Sequence, residues 1–199
     1  LFATEGAKLV VSDLKEAAAR DTVEQITAGG GEVTDVAGDV SDSADAERMV
    51  RAAVDSYGKL DILVNSAGIT ARVLGPDAPH EEVWDRVIDV NLKGTYLVSR
   101  YAIPEMVSAG GGSIVNLASI YGLVGYPADI PGPGVPGFNP YPPSKGGVVQ
   151  LTRSLAIAYA KDNVRVNAIC PGFLWTPLTD KLTSNPEVLR TVEQKHPMG

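Results

Sequence analysis

The sequence is poor in the residues that build disulfide frameworks and metal sites. It contains one cysteine, Cys170, so no disulfide can form within the chain. Its two histidines, His80 and His196, lie far apart, and we expect no histidine-based metal site. No run of about 18 consecutive apolar residues occurs, and the first residues lack the pattern of a signal peptide. We therefore expect no membrane span and a cytoplasmic location.

Positive charge is also scarce. The chain has 17 Lys and Arg residues against 24 Asp and Glu residues, which gives a net charge of −7. A nucleic-acid-binding surface needs clustered Lys and Arg, so we expect no nucleic-acid partner. The 44% hydrophobic and 21% charged residues are typical of a soluble globular protein. The length of 199 residues suits a single domain over residues 1–199.

Short β-branched segments alternate with segments of helical periodicity. This alternation predicts an α/β fold with a doubly wound parallel sheet and helices on both faces. Pro104 is expected to shorten or kink the helix that contains it, and Gly6 to end a helical turn in the left-handed conformation. Strands are predicted over residues 8–12, 33–37, 61–65, 113–117 and 164–169. Helices are predicted over 14–27, 81–107 and 142–160, and the apolar spacing within 46–57 predicts one more.

A Pro/Gly-rich segment, residues 127–143, interrupts the second half of the chain. It holds seven of the 14 prolines. Within it, residues 132–137 match the G-x-G-x-x-G spacing of a dinucleotide-binding loop. A phosphate-binding loop must follow a strand and offer backbone N–H groups, but two residues of this match are prolines, which have none. We interpret the match as an irregular surface loop.

Tyr141 and Lys145 are the only Tyr-x-x-x-Lys pair in the chain. Four residues make about one helical turn, so the two side chains share a face. An ammonium beside a phenol favours the phenolate and lowers the phenol pKa from about 10. The pair is therefore suited to general acid/base chemistry on an alcohol or ketone.

Polar residues follow three of the predicted strands, at the edge where open α/β sheets bind ligands. Ser119 follows the fourth strand, residues 65–68 (Asn-Ser-Ala-Gly) end the third, and Asp13 ends the first. Asn91 lies within a predicted helix. Each has a plainer alternative: Asp13 as a helix N-cap, residues 65–68 as a simple turn, and Asn91 as a solvated residue.

Together these segments resemble the classical short-chain dehydrogenase/reductase family along the whole chain. Six motifs occur in the family's order. They are the Asp-Val pair at 39–40, the Asn-Ser-Ala-Gly at 65–68, the Asn91 segment 89–95, the Ser119 segment 115–122, the Tyr141–Lys145 pair, and the segment 167–176 with Pro171 and Gly172.

The resemblance implies an NAD(P)-dependent oxidoreductase that interconverts a secondary alcohol and a ketone. Tyr141 is then the general acid/base, Lys145 lowers its pKa and binds the nicotinamide ribose, Ser119 binds the substrate oxygen, and Asn91 holds a water. A homo-oligomer, tetramer or dimer, is also implied. The implied cofactor-binding residues are Asp13, Asp39, Val40, Asn65, Ala67, Gly68, Tyr141, Lys145, Pro171, Gly172 and Thr176. Asp13 would repel the phosphate of NADP, so NAD is the preferred cofactor and NADP the alternative.

The departures from the family are equally informative. The family's opening strand and glycine-rich phosphate loop have no counterpart in residues 1–199, and the family continues beyond Gly199. The resemblance therefore implies a fragment of a Rossmann-type domain that lacks the first and last strands. The separation of 22 residues between Ser119 and Tyr141 exceeds the family's usual spacing.

Three other functional interpretations remain open. Extended members of the superfamily, the epimerase- and dehydratase-like enzymes, often have such long separations, and Asn139-Pro-Tyr141 is similar to their pattern. Residues 65–68 and Pro171-Gly172 favour the classical branch. The second interpretation is a non-catalytic relative that binds the cofactor. The third is a fragment of an enzyme that is inactive alone.

Overall fold

The computed structural model describes residues 1–75, 77–127, 137–176, 178–180 and 184–195. Its elements alternate between strands and helices, as predicted. The strands are β1 (Leu9–Asp13), β2 (Val33–Ala37), β3 (Ile62–Asn65), β4 (Gly112–Leu117) and β5 (Val164–Ile169). The helices are α1 (Glu16–Ala28), α2 (Ser43–Tyr57), α3 (His80–Ile88), α4 (Gly94–Ser108), α5 (Tyr141–Ala158) and α6 (Pro186–Gln194). The sequence did not predict α6.

All strand pairs are parallel, as the predicted fold class requires. The strands form two groups, β1 with β2 and β3–β4–β5 with β4 in the middle. The two groups are not hydrogen-bonded to each other within the part of the chain described. The Rossmann-type sheet is thus interrupted between β1 and β3, where the resemblance predicts an absent strand.

One face of β3 is exposed. Leu63 packs against the apolar clusters that contain residues of α2 and α4. Ile62 and Val64 point the other way and are 48% and 39% exposed. The strand β3 is therefore buried on one face only.

The predicted helix 81–107 is divided in two. A π-helical turn, Asp89–Lys93, separates α3 from α4. The helix α4 continues past Pro104 to Ser108, so of the two expected effects of this proline, a shorter helix or a kink, the shortening does not occur. Proline has no N–H, so one hydrogen bond within the helix is missing at Pro104. Ile103 and Met106 are at most 2% exposed, and their packing stabilises the helix at this point.

Other local predictions have mixed outcomes. Gly6 has a φ of +84°, which confirms its left-handed conformation. The N-cap of α1 is Lys15, without a side-chain cap, and Asp13 instead accepts a hydrogen bond from the Lys15 N–H at 2.8 Å. Most of the G-x-G-x-x-G match, residues 132–136, lies outside the described residues, as does His196. No helix among the described residues is long and apolar enough to span a membrane.

Candidate active site

The predicted site residues of β3, β4 and β5 meet at the carboxyl edge of the three-stranded group. Residues 65–68 follow β3, Ser119 follows β4, and Pro171 and Gly172 follow β5. The Ile120 N–H donates to the Pro171 carbonyl at 2.9 Å, which ties the loops after β4 and β5 together. Ser119 is consequently only 6% exposed.

Tyr141 lies beside Ser119 despite the long segment between them. It is the first residue of α5, where prolines in the first turn cost little because those N–H groups have no partner within the helix. Burial raises the pKa of the Tyr141 phenol; a hydrogen bond with Ser119 lowers it by less, and the nearby Tyr126 raises it further. The 22-residue separation therefore does not move Tyr141 away from Ser119.

Lys145 is close to Tyr141 but does not lower its pKa here, which corrects the expectation from the sequence. The Lys145 Nζ is 5.8 Å from the centroid of the Tyr141 ring and donates to the Leu117 carbonyl at 2.7 Å. The side chain is 4% exposed, and burial lowers its own pKa to about 8. Burial is the largest influence on the pKa of the Tyr141 phenol, and the Lys145 ammonium is directed at a carbonyl oxygen instead.

Gly122 fixes α5 against the turn that carries Ser119. A Cβ at Gly122 would lie 2.7 Å from the Lys145 carbonyl oxygen, which is backbone and cannot move aside cheaply. Only glycine permits this approach, so Gly122 sets the distance between Ser119 and the first turn of α5.

Asn91 is fully buried and fully hydrogen-bonded, so its interpretation as a solvated residue is wrong. Its Oδ1 accepts from the Ile69 N–H at 2.8 Å, and its Nδ2 donates to the Ile69 carbonyl and to Ser144 Oγ, both at 3.0 Å. Ser144 in turn donates to the Tyr141 carbonyl at 2.7 Å. Asn91 thus connects the loop after β3 to the first turn of α5. Sequence reasoning missed Ser144, although it directly precedes Lys145.

Gly68 brings the loop after β3 up to both of these polar groups. A Cβ at Gly68 would be 3.3 Å from Lys145 Nζ and 3.5 Å from Asn91 Oδ1. The side-chain-free backbone leaves the ammonium approachable. The Lys145 ammonium has three N–H donors, of which one is bonded to the Leu117 carbonyl. The other two suit ribose hydroxyls, so the residues present fit the nicotinamide end of NAD(P).

Asn65, a predicted cofactor residue, directs its amide into the interior. Its Nδ2 donates to Asn116 Oδ1 at 2.8 Å and to Ser99 Oγ at 3.0 Å, and Asn116 donates to Thr152 Oγ1 at 2.9 Å. This buried network joins β3 and β4 to α4 and α5. The hydrogen bonds of Asn65 are therefore structural. The neighbouring Ala67, also a predicted cofactor residue, is exposed.

The residues predicted to bind the adenosine end lie at the carboxyl ends of β1 and β2. Asp13 is exposed. Asp39 is bound by Ser41 and, at 3.0 Å, by Arg86. Burial raises the pKa of Asp39, but these hydrogen bonds outweigh it and hold the pKa below its usual value. Val40 packs closely on Gly94, where a Cβ would lie 2.6 Å from Val40 Cγ2.

An open cavity adjoins Ser119 and Tyr141. Tyr121 lies between Tyr126 and Phe173, with ring centroids 4.6 and 6.0 Å away. Val188 and Val192 of α6 pack on Tyr126 and Phe173. Thr176, a further predicted cofactor residue, is exposed and bonded to Thr179, which lines the cavity. The described residues that line the cavity are Thr70, Arg72, Ser119, Tyr121, Tyr126, Asn139, Tyr141, Gly172, Phe173, Leu178 and Thr179.

Comparison with known proteins identifies the family. Residues 1–199 match the family described as enoyl-(acyl carrier protein) reductase. An oxidoreductase from Thermotoga maritima is 39% identical over all of this chain and 76% of its own length. Cyclohexanol dehydrogenase from an Acinetobacter species is 35% identical over all of this chain and 74% of its own length.

A solved structure agrees with these relatives. It is a Burkholderia xenovorans protein assigned to the short-chain dehydrogenases/reductases, with 36% identity and a TM-score of 0.80 over 98% of this chain and 72% of its own. The chain belongs to the classical short-chain dehydrogenase/reductase family. It is therefore a member of a family of NAD(P)-dependent oxidoreductases.

Proposed function

We propose that this protein interconverts a secondary alcohol and a ketone, with Tyr141 as the general acid/base. The observation that carries the proposal is that Tyr141 and Ser119 line the same cavity, with the Lys145 ammonium 5.8 Å from the centroid of the phenol ring. Burying a lysine ammonium costs free energy. A scaffold or a cofactor sensor does not need a buried lysine beside a phenol, so this pair favours an enzyme.

In the direction of reduction, Tyr141 donates its phenolic proton to the carbonyl oxygen of the substrate, and Ser119 donates a hydrogen bond to the same oxygen. NAD(P), when bound, supplies the hydride. Lys145 binds the ribose hydroxyls beside Gly68. Asn91 holds the loop after β3 in place through Ile69.

The direction of the Tyr141 pKa shift favours reduction at neutral pH. A phenol whose pKa lies above its usual value stays protonated at pH 7 and is ready to donate. Oxidation of the alcohol needs the phenolate, so its rate rises as the pH increases toward the raised pKa. We expect the oxidation rate to keep rising beyond pH 9, measured with saturating cofactor and alcohol.

NAD is the proposed cofactor, because the exposed carboxylate of Asp13 lies at the end of β1, where a 2′-phosphate would meet a like charge. Lys15, two residues further on, softens this preference. We expect a higher kcat/KM with NADH than with NADPH, and a reversal of the ratio in Asp13→Ser. A higher kcat/KM for NADPH in the unchanged protein would contradict the assignment.

Isotope transfer tests the proposed reaction. The chain is incubated with ketones and NADH that carries deuterium at the transferable position. Direct hydride transfer places one deuterium on the carbinol carbon of the product, which mass spectrometry detects. Reduction without deuterium at that carbon would exclude the proposed reaction.

A small alcohol or ketone is the proposed partner, together with a second copy of this chain. The proposal of a homo-oligomer is supported by exposed apolar side chains on α4 and α5, among them Tyr96 (46% exposed) and Ile157 (82%). Such side chains are suited to burial between subunits. Sedimentation of the chain and of Ile157→Glu tests it: the variant is expected to shift toward monomer.

A further inference from the structure

The first turn of α5 has an unusual start, because two of its residues are prolines. Residues 142–143 have no N–H, and Pro140, which precedes the helix, has no side-chain acceptor for an N-cap. The Tyr141 N–H donates instead to Asn139 Oδ1 at 3.0 Å. The Ser144 N–H donates to the Pro140 carbonyl at 3.0 Å. Both acceptors directly precede the helix, so these two bonds do not attach the turn to the rest of the protein.

The Ser144 hydroxyl connects this turn to a distant part of the chain. It donates to the Tyr141 carbonyl at 2.7 Å and accepts from Asn91 Nδ2 at 3.0 Å. Asn91 is held by two further hydrogen bonds with the backbone of Ile69. Ser144 and Asn91 are both 0% exposed, so water cannot replace the bond between them when it is lost. A buried chain of hydrogen bonds thus runs from the loop after β3 to the backbone of Tyr141.

Two neighbouring groups of the site are held by other contacts. Ser119 is fixed through the bond between the loops after β4 and β5, and Lys145 Nζ through the Leu117 carbonyl. Tyr141 is the first residue of α5, so its phenol moves when the first turn moves. A misplacement of about 1 Å lowers a rate by up to about 100-fold. Loss of the Ser144 hydroxyl should therefore affect proton transfer by Tyr141 more than cofactor binding.

We propose that Ser144 is a positioning residue, whose hydroxyl fixes the first turn of α5 to Asn91 and thereby holds the Tyr141 phenol in the site. Ser144 acts through the backbone of Tyr141 and does not touch the substrate. The inference rests on the proposed function, because that function assigns the proton transfer to Tyr141. It adds a residue that sets the rate without binding substrate or cofactor.

Thr152 provides a matched control on the same helix. It is 6% exposed, its hydroxyl donates to the Val148 carbonyl at 2.8 Å, and it accepts from Asn116 Nδ2 at 2.9 Å. Thr152 therefore makes the same two kinds of hydrogen bond as Ser144, one to a backbone carbonyl of the preceding turn and one from a buried asparagine. It lies about two helical turns further along α5. Loss of its hydroxyl should cost stability without displacing the Tyr141 phenol.

Turnover, cofactor binding and stability are measured separately for Ser144→Ala, Ser144→Cys and Thr152→Val. The kcat is determined for a ketone with saturating NADH, the Kd for NADH by fluorescence titration, and the stability by urea unfolding. Ser144→Cys keeps a weaker donor at the same position, and it replaces the alanine variant in every comparison if that variant does not fold. Thr152→Val exchanges the hydroxyl for a methyl group of similar size.

Ser144→Ala is expected to lower kcat by about 10- to 100-fold, because a small displacement of the general acid is sufficient. Its Kd for NADH should stay within about twofold, because Lys145 Nζ and Asn91 keep their other hydrogen bonds. Ser144→Cys should give an intermediate kcat. Thr152→Val should be destabilised toward urea like Ser144→Ala but keep kcat within about twofold of the wild type.

An NMR measurement gives a second readout that needs no turnover. Each protein is labelled with tyrosine that carries carbon-13 at Cζ, and the Tyr141 signal is assigned by its absence from Tyr141→Phe. The position of this signal reports the surroundings of the phenol. In Ser144→Ala it should move by more than its line width, whereas in Thr152→Val it should coincide with the wild-type signal.

The outcomes separate this inference from the proposed function. If Ser144→Ala and Thr152→Val have equal kcat, the positioning role is wrong and the proposed reaction stands. A Kd for NADH that weakens as much as kcat falls also contradicts the role, because Ser144 then acts on the cofactor. If the wild type reduces no ketone, the proposed reaction is wrong and the NMR signal decides: a shift confined to Ser144→Ala supports the positioning of Tyr141, and no shift, or the same shift in Thr152→Val, overturns it.

Discussion

Replacing Lys145 by methionine should change how the stability of the protein depends on pH. The side chain is 4% exposed, and burial lowers its pKa from 10.5 to about 8. Each unit of pKa difference between the folded and unfolded states corresponds to about 1.4 kcal/mol, so burying the charged ammonium costs about 3 kcal/mol at pH 7.

The sign follows from proton binding. Between pH 8 and 10.5 the unfolded chain keeps the proton on Lys145 while the folded protein loses it. The unfolded state then binds more protons, so the free energy of unfolding rises with pH across this window. Below pH 8 Lys145 is charged in both the folded and the unfolded state, so the full free-energy cost of burying the ammonium is present. The Lys145→Met variant has no titratable side chain at this position, so its free energy of unfolding lacks this rise with pH.

The assay is urea unfolding of the wild type and Lys145→Met from pH 7 to 10.5. Methionine cannot donate to the Leu117 carbonyl, and that loss shifts the curve by a roughly constant 1–3 kcal/mol. Only the slope of the difference is therefore diagnostic. The wild type should gain about 3 kcal/mol relative to the variant over this range. A difference that stays flat, or that falls with pH, would refute the lowered pKa.

Three further predictions follow from single contacts. Gly122→Ala should push α5 away from the Ser119 turn, and we expect kcat for ketone reduction to fall at least tenfold. Gly125→Ala is the control: Gly125 has open space around it, so this variant should keep the wild-type kcat. Asn116→Ala should cost about 2–4 kcal/mol in urea unfolding, because it leaves buried partners in the amide network unpaired; a loss under 0.5 kcal/mol would contradict that network. The isolated 199-residue chain should aggregate on heating, because β3 has an open face and an unpaired edge; a cooperative melt of a soluble monomer, seen by calorimetry with light scattering, would refute this.

The local features of the fold could be predicted from the sequence because they depend on neighbouring residues. The period of the apolar residues predicted the five strands, and 33–37 and 164–169 match β2 and β5 residue for residue. The Tyr141–Lys145 spacing likewise predicted two side chains on one helix turn, and both lie at the site.

What could not be predicted depends on contacts between distant parts of the chain. Asn91 is hydrogen-bonded to Ser144, which is 53 residues further along the chain, and no local sequence pattern predicts that bond. Arg72 lies in a short 3₁₀ turn without a motif. The pKa of Tyr141 is raised rather than lowered because its largest influence is burial, which is a property of the folded protein.

The most direct test of the proposed mechanism is the turnover of Tyr141→Phe. This change removes the phenolic proton and keeps the ring. A positioned general acid contributes about 10²–10⁴ in rate, so kcat should fall by at least the lower figure while the Kd for NADH stays within twofold. Tyr126→Phe, a neighbouring phenol of the same cavity, should cost far less. A Tyr141→Phe variant that retains half of the wild-type kcat would contradict the assignment of Tyr141 and move the search for the acid to Tyr121 or Tyr126.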